Sequence, residues 1–129
     1  MSLVYVDTSA ISKLFIAETE TRALRKFLGE NLVTSGISRL EVKRAIDRNP
    51  VLLEKAGIQV LDNFQFTEPD QTVFAIAESF RSMPYLRSLD AIHLATAIYI
   101  NPMISQFVTY DKQLARAAEL MGFEVAVPA

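Results

Sequence analysis

Four carboxylates occupy positions at which a folded chain can gather side chains into one site. They are Asp7, Glu41, Asp90 and Asp111. Asp7 and Asp111 each follow a short apolar run that is typical of a buried strand, and Glu41 comes shortly after another. Asp90 lies in a strongly apolar stretch, 86–100, where an isolated charge is costly. Crowded carboxylates repel one another, so the pattern predicts a hard divalent cation, and oxygen ligands favour Mg²⁺ or Mn²⁺ over zinc.

Each acid also has an interpretation that needs no ligand. Asp7 and Asp111 are residues of the type that caps helix N-termini. Glu41 matches the second half of a capping box that begins at Ser38, and Asp90 matches an acid that complements a helix dipole. Taken singly, these interpretations favour a structural role. The presence of all four acids at comparable places in the chain favours a shared site.

Composition excludes several other kinds of site. The chain of 129 residues contains no cysteine, which excludes disulfides, thiolate metal sites and cysteine nucleophiles. His93 is the single histidine, which excludes a multi-histidine metal site. The formal net charge of −2 argues against a protein that coats nucleic acid through a basic surface. It does not exclude a nuclease, because acids concentrated in a site lower the total charge.

Strands alternate with helices along the whole chain. The apolar runs predict strands at 3–6, 32–35, 64–67, 107–109 and 123–127. Helical spacing and cap residues predict helices at 10–15, 18–30, 38–48, 51–61, 69–80, 88–100 and 111–121. Asn49-Pro50 and Pro84 are expected to interrupt the chain, and Gly57 to interrupt or end the fourth helix.

This alternation predicts one α/β domain, residues 1–129, with a mainly parallel central sheet and helices on both faces. The carboxyl edge of such a sheet is where ligands bind, and the four acids are expected to converge there. The expected core residues are Val4, Val6, Leu89, Ile92, Leu94, Ala95 and Val108. In the helix 18–30, Leu24, Phe27 and Leu28 are expected to point inward.

Four segments resemble the PIN-domain family, and in particular its VapC-type toxins. They are VYVDTSA at 4–10, TS at 34–35 with EV at 41–42, LRSLDAIHLATA at 86–97, and VTYD at 108–111. The third segment is highly specific, whereas the first alone is a weak signal. The stretch 47–78 shows only helical patterning, so it leaves the choice of substrate open.

The resemblance implies a single PIN domain and a metal-dependent endoribonuclease. It also implies that Asp7, Glu41, Asp90 and Asp111 bind Mg²⁺ or Mn²⁺, with Asp7 and Asp90 as the most direct ligands. Such an ion polarises a phosphate oxygen and makes water more nucleophilic, and Glu41 or Asp111 would accept the proton of that water. In-line attack at phosphorus would leave a 5′-phosphate.

Further residues are candidates for binding the substrate. Thr8 and Thr109 carry hydroxyls next to the acids. Arg39, Lys43, Arg44 and Arg48 form a basic stretch beside Glu41, which is either a solvated helix face or a guide for the phosphate backbone. Arg87 is a candidate to pair with a carboxylate or a phosphate. His93 follows Asp90 by three residues. A histidine in such apolar surroundings is expected to be a hydrogen-bonded core residue more often than a ligand.

The same resemblance implies an antitoxin partner and a homodimer, and we expect a cytoplasmic protein without a membrane segment. One alternative is a PIN nuclease of RNA processing that has no antitoxin, which the neighbouring genes would reveal. A non-catalytic PIN binding module is disfavoured because all four acids are present. A magnesium-binding receiver domain is also disfavoured, because Asp7 is followed by Thr8 rather than by a second acid.

Overall fold

Five parallel strands form the centre of the fold. The computed structural model describes residues 2–48, 53–83 and 85–129. Its strands are β1 Leu3–Val6, β2 Leu32–Ser35, β3 Phe64–Thr67, β4 Ile104–Val108 and β5 Val125–Ala126. They pair in the order β3-β2-β1-β4-β5, and each neighbouring pair is parallel. The prediction of a mainly parallel sheet is confirmed.

Helices connect these strands. The α-helices of the described residues are α1 Thr8–Ser12, α2 Thr21–Phe27, α3 Ile37–Arg48, α4 Leu53–Leu61, α5 Gln71–Glu78, α6 Ser88–Tyr99 and α7 Lys112–Leu120. A short 3₁₀ turn, Asn101–Met103, leads into β4. Among the described residues, no helix combines the length and the apolar character that a bilayer crossing requires.

Two apolar cores lie on opposite faces of the sheet, as predicted. Successive residues of a strand point to opposite faces, so Tyr5 belongs to one core and Val6 to the other. The Tyr5 core contains Leu94 of α6 and Leu114 of α7. The Val6 core contains side chains of α1, α2 and α3, such as Val42. The sheet is therefore covered on both sides, which leaves its edges for chemistry.

The predicted core is only partly correct. Val6, Leu94, Ala95 and Val108 are buried, and Val4 and Ile92 are partly buried. Leu89 is 43% exposed and Phe27 is 40% exposed, so both predictions were wrong. Leu89 lies in the first turn of α6, a helix that is apolar around most of its circumference. Composition therefore does not reveal which side of this helix faces the sheet.

Three local predictions also differ from the structure. Helix α2 is shorter than predicted and spans Thr21–Phe27. Ser38 lies inside α3 instead of capping it, and its Oγ is 2.7 Å from Oγ1 of Thr34, so the capping box is wrong. Helix α4 continues through Gly57, where an added Cβ would lie 2.8 Å from Cδ1 of Ile46. The predicted breaks at Asn49-Pro50 and Pro84 lie outside the described residues.

The strand order positions the site. The chain crosses to opposite sides of β1 to form β2 and β4, so the order reverses between β1 and β4. In open parallel sheets, the crevice beyond the carboxyl ends of two such strands is the preferred place for a ligand. Asp7 follows β1 immediately, and its backbone N–H donates to the carbonyl of Val108, the last residue of β4.

Candidate active site

All four predicted acids line one cavity. The cavity has a volume of about 250 Å³ and lies at the carboxyl edge of the sheet. Asp7 and Asp111 reach it from beyond the ends of β1 and β4, Glu41 from the second turn of α3, and Asp90 from the first turn of α6. Residues that are more than a hundred positions apart in the chain thus share one small space.

Asp7 is held rigidly at the bottom of this cavity. Its side chain is buried, and its Oδ1 accepts hydrogen bonds from Oγ of Ser9 at 2.7 Å and from the N–H of Ala10 at 3.1 Å. Its Oδ2 accepts a hydrogen bond from Oγ1 of Thr109 at 2.7 Å. Burial raises the pKa of Asp7, while the charge of His93 and these hydrogen bonds lower it in part. The bond to Ala10 also makes Asp7 the N-cap of α1.

Asp111 combines the same two roles. Its Oδ1 accepts a hydrogen bond from the N–H of Leu114 at 2.9 Å, which caps α7, and its side chain lines the cavity. The helix-cap interpretation is therefore correct for Asp7 and Asp111 as local geometry. It does not compete with the site interpretation, since the same carboxylate faces the cavity.

Asp90 shows how strongly the acids act on one another. Partial burial is the largest cause that raises its pKa, to about 6, and the negative charge of Asp111 is the next. The charges of Asp7 and Glu41 raise it further, while His93 opposes them. At the N-terminus of α6, the preceding residue Arg87 makes no side-chain cap. The cavity therefore carries an excess of negative charge that a cation would relieve.

Glu41 is set apart from the other acids by its partners. Its Oε1 accepts a hydrogen bond from Oγ1 of Thr8 at 2.6 Å and lies 2.8 Å from Nε2 of His93. Partial burial alone would raise the pKa of Glu41. The hydrogen bond and charge of His93, together with the Thr8 hydroxyl, outweigh burial, so this pKa lies below its ordinary value. Glu41 is thus poised in its ionised form.

The oxygen atoms that line the cavity are of the kind that a hard divalent cation prefers, although the carboxylates are not arranged around a single point. Among the described residues, no three His, Asp or Glu side chains are arranged to coordinate a single ion. The cavity nevertheless offers four carboxylates and the hydroxyls of Thr8, Ser9 and Ser12. Such an oxygen-rich set suits Mg²⁺ or Mn²⁺, which retain several waters and need few protein ligands.

Of the residues predicted to bind substrate, some line the cavity and others lie elsewhere. Thr8 lines the cavity, whereas Thr109 is fully buried behind Asp7 and positions that carboxylate. Arg39 pairs with Glu68 and lies over the ring of Phe66, on a different face of α3 from Glu41.

Two other basic candidates also lie away from the cavity. Lys43 pairs with Asp47 on the exposed side of α3. Arg87 is exposed at the start of α6 and is not part of the described cavity lining.

Arg48 is the member of the predicted basic stretch 39–48 that lines the cavity in the described part of the chain. Glu41, Ala45 and Arg48 follow the spacing i, i+4, i+7 and line the cavity from one face of α3. The helical spacing from Glu41 contained this signal, because it separates Arg48 from Arg39 and Lys43. Ser9 and Ser12 also line the cavity.

Comparison with known proteins gives consistent results. The PIN domain family profile matches residues 4–120. The chain is 40% identical to Ribonuclease VapC47 of Mycobacterium tuberculosis (strain CDC 1551 / Oshkosh), with 98% of this chain and 97% of that protein covered. It is 37% identical to Ribonuclease VapC46 of Mycobacterium tuberculosis (strain ATCC 25618 / H37Rv), with 99% of each covered.

A solved structure shares the fold at lower sequence identity. A chain of a toxin-antitoxin complex from Klebsiella pneumoniae superposes with a TM-score of 0.76 at 21% identity, and 98% of each chain is covered. This likeness shows the fold, while the profile match and the full-length relatives show the family. The chain belongs to the PIN-domain family, and its relatives there include the VapC ribonucleases.

Proposed function

We propose that this chain is a metal-dependent endoribonuclease of the toxin type, which hydrolyses RNA phosphodiester bonds in the cytoplasm with Mg²⁺ or Mn²⁺. The observation that carries the proposal is the convergence of Asp7, Glu41, Asp90 and Asp111 on one cavity. The ribonuclease names of its relatives support the choice of RNA as substrate.

Asp7 and Asp90 would hold the ion most directly, and Asp111 and Glu41 would complete its surroundings. When bound, Mg²⁺ or Mn²⁺ supplies polarisation of a phosphate oxygen and compensates the charge that develops there. The hydrogen bonds from Ser9, Ala10 and Thr109 fix the Asp7 carboxylate before any ligand arrives. Such preorganisation reduces the reorganisation needed during the reaction.

Glu41 and Asp111 are the candidate acceptors for the proton of the attacking water. Glu41, ionised and held by Thr8 and His93, accepts the proton of the attacking water, with Asp111 as the second candidate. The water oxygen forms a bond to phosphorus while the bond from phosphorus to the 3′ oxygen breaks. The products are a 5′-phosphate and a 3′-hydroxyl, which takes up a proton. Arg48, at the cavity rim, attracts the phosphate backbone.

An antitoxin is the proposed protein partner. The VapC names of the relatives and the shared fold with a chain of the Klebsiella pneumoniae toxin-antitoxin complex support this partner. The chain offers a groove of about 560 Å³, lined by both apolar and polar side chains, for a partner segment. Leu14 and Leu28, from the ends of the first two helices, line one side, and Val60 and Phe64 line the other. Apolar anchors spaced along a partner helix fit such a groove.

The decisive experiment measures cleavage of a mixed RNA pool by EDTA-treated protein with and without Mn²⁺, followed by mapping of the ends. We expect Mn²⁺-dependent cleavage that leaves 5′-phosphates. Asp7→Asn and Asp90→Asn should each lower the cleavage rate at least ~100-fold. Replacing a residue that only supports a metal ligand costs up to ~100-fold, and a direct ligand should matter at least as much. Asp70→Ala, which removes a helix cap outside the cavity, is the control. Equal cleavage rates with EDTA and with Mn²⁺ would refute the proposal.

A further inference from the structure

A buried hydrogen-bond network connects the core of the domain to Glu41. Nδ1 of His93 lies 2.7 Å from the hydroxyl of Tyr5, and Nε2 of the same ring lies 2.8 Å from Oε1 of Glu41. Tyr5 is fully buried and His93 is 1% exposed. The imidazole thus spans the distance between an inaccessible tyrosine and a carboxylate at the cavity.

These contacts determine where the imidazole proton lies. An ionised Glu41 can only accept hydrogen bonds, so this contact favours a proton on Nε2 of His93. In the neutral ring, Nδ1 is then an acceptor, and the hydroxyl of Tyr5 donates to it. The phenolic hydroxyl of Tyr5 has one O–H to donate, and because Tyr5 is fully buried, bulk solvent does not compete for it. The tyrosine proton therefore remains available for His93.

We propose that His93 is a positioning residue for Glu41, and that Tyr5 holds it in the tautomer with the proton on Nε2. The role in catalysis rests on the proposed ribonuclease function. Glu41 alone is a flexible side chain, and fixing it costs conformational entropy. Two donors on Oε1, His93 from α6 and Thr8 from α1, fix the carboxylate in the folded protein. Hydrogen bonds to a carboxylate at a metal site orient it in this way.

The tautomer can be measured without metal or RNA. In metal-free protein with ¹⁵N-labelled histidine, the single His93 gives an unambiguous NMR spectrum. At a pH above the titration of a typical histidine, we expect a protonated-type shift for Nε2 and an unprotonated-type shift for Nδ1. Tyr5→Phe should move both shifts towards values averaged over the two tautomers. A proton on Nδ1 in the unchanged protein, or averaged shifts there, would overturn the proposal.

Cleavage rates test the positioning role separately. His93→Leu removes the donor to Glu41 and should lower kcat by roughly 10- to 100-fold. His93→Gln places an amide N–H near the position of Nε2 and should recover much of this loss. Thr96→Val, which removes a hydroxyl that donates within α6 to the carbonyl of Ile92, should leave both rate and tautomer unchanged. A folded His93→Leu variant with undiminished kcat would overturn the positioning role.

The two proposals fail in different ways. If the unchanged protein cleaves no RNA, the ribonuclease proposal fails, while the NMR experiment still tests the tautomer and the role of Tyr5. If RNA is cleaved but His93→Gln is as slow as His93→Leu, the hydrogen bond to Glu41 is not what matters. Circular dichroism melting curves of each variant show whether it is folded at the assay temperature.

Discussion

Single carboxylates in this domain serve the fold and the site at once. The Asp7 side chain accepts three hydrogen bonds, one of which caps α1, and it lines the cavity. Asp90 is different, because the charges of the other acids add to the effect of burial and raise its pKa to about 6. Its ionised form therefore opposes folding in the absence of a cation.

Replacing Asp90 with Asn should raise the melting temperature of the metal-free protein at pH 7.5. The folded pKa of about 6 lies above the unfolded value of about 3.9. Stability is therefore fully present below the unfolded pKa and falls as the pH rises towards about 6. Asn removes the repulsion, and we expect a gain on the order of 1 kcal/mol, because solvent screens the charges. Thermal unfolding in EDTA measures it.

The pH dependence provides the control for this substitution. Near pH 4, Asp90 is protonated in the folded state, so the difference between the two proteins should shrink. If Asp90 acts only on the helix dipole, Asn should instead lower the melting temperature at pH 7.5. That result would remove the argument that Asp90 belongs to a metal site.

Excess Mn²⁺ should stabilise the unchanged protein against unfolding. A ligand that binds only the folded state adds stability by mass action, by ~2.7 kcal/mol at a hundred times its Kd. Asp90→Asn should respond much less because it lacks a direct ligand. Melting curves with EDTA and with Mn²⁺ for both proteins provide the measurement. Equal shifts in both would contradict a role for Asp90 in binding the ion.

Among the elements, helix N-termini provide a matched pair of acids. Asp70 caps α5 by accepting from the N–H of Val73 at 3.0 Å, just as Asp111 caps α7 by accepting from Leu114. Asp70→Ala and Asp111→Ala should each cost about 1 kcal/mol of stability. Only Asp111→Ala should also lower RNA cleavage, because only Asp111 lines the cavity. Equal activity of the two variants would limit Asp111 to capping.

Helix α3 provides a second comparison between its faces. Arg48 lines the cavity, whereas Lys43 pairs with Asp47 elsewhere on the helix. Arg48→Ala should raise KM for RNA several-fold, about 1 kcal/mol for one charge-assisted contact, with a smaller effect on kcat. Lys43→Ala should change neither value. Steady-state kinetics at low salt measure both, and the reverse pattern would show that substrate crosses the other face of α3.

For the domain as a whole, the strand order explains why the acids meet. Asp7 and Asp111 come from the adjacent strands β1 and β4, and Glu41 and Asp90 come from helices on opposite sides of the sheet. The arrangement leaves large apolar side chains exposed elsewhere, including Phe74 of α5 and Leu89 of α6. Exposed apolar groups of this size are common at contacts between subunits.

The homodimer is the prediction that concerns the domain as a whole. Closed two-fold dimers are the commonest assembly, and burial of exposed apolar residues would stabilise one. Light scattering should give the mass of two chains at micromolar concentration. The mass of one chain at high concentration would contradict the prediction. Growth arrest by the chain, relieved when its antitoxin is co-expressed, would test the partner independently.

Local sequence patterns were sufficient to predict the layered architecture and to identify four acids that line one cavity. Strand-length apolar runs and helical spacing are short-range signals, so they predicted a parallel sheet between two layers of helices. Asp7 and Asp111 could be placed at the carboxyl edge because Asp7 directly follows such a run and Asp111 comes two residues after another. The sequence also identified Arg48 among the basic residues beside Glu41, although the prediction did not use its helical spacing to distinguish it from Arg39, Lys43 and Arg44.

Only the tertiary structure showed which side chains around the acids are buried behind them, which line the cavity and which face solvent. Tyr5 and His93 are 88 residues apart, and only the packing of α6 on β1 brings them together. Thr109 turned out to be buried behind Asp7, and Leu89 faces outward, because the rotation of a strand or helix against its neighbours depends on the whole core. Contacts between distant segments set such orientations, and local sequence patterns carry little information about them.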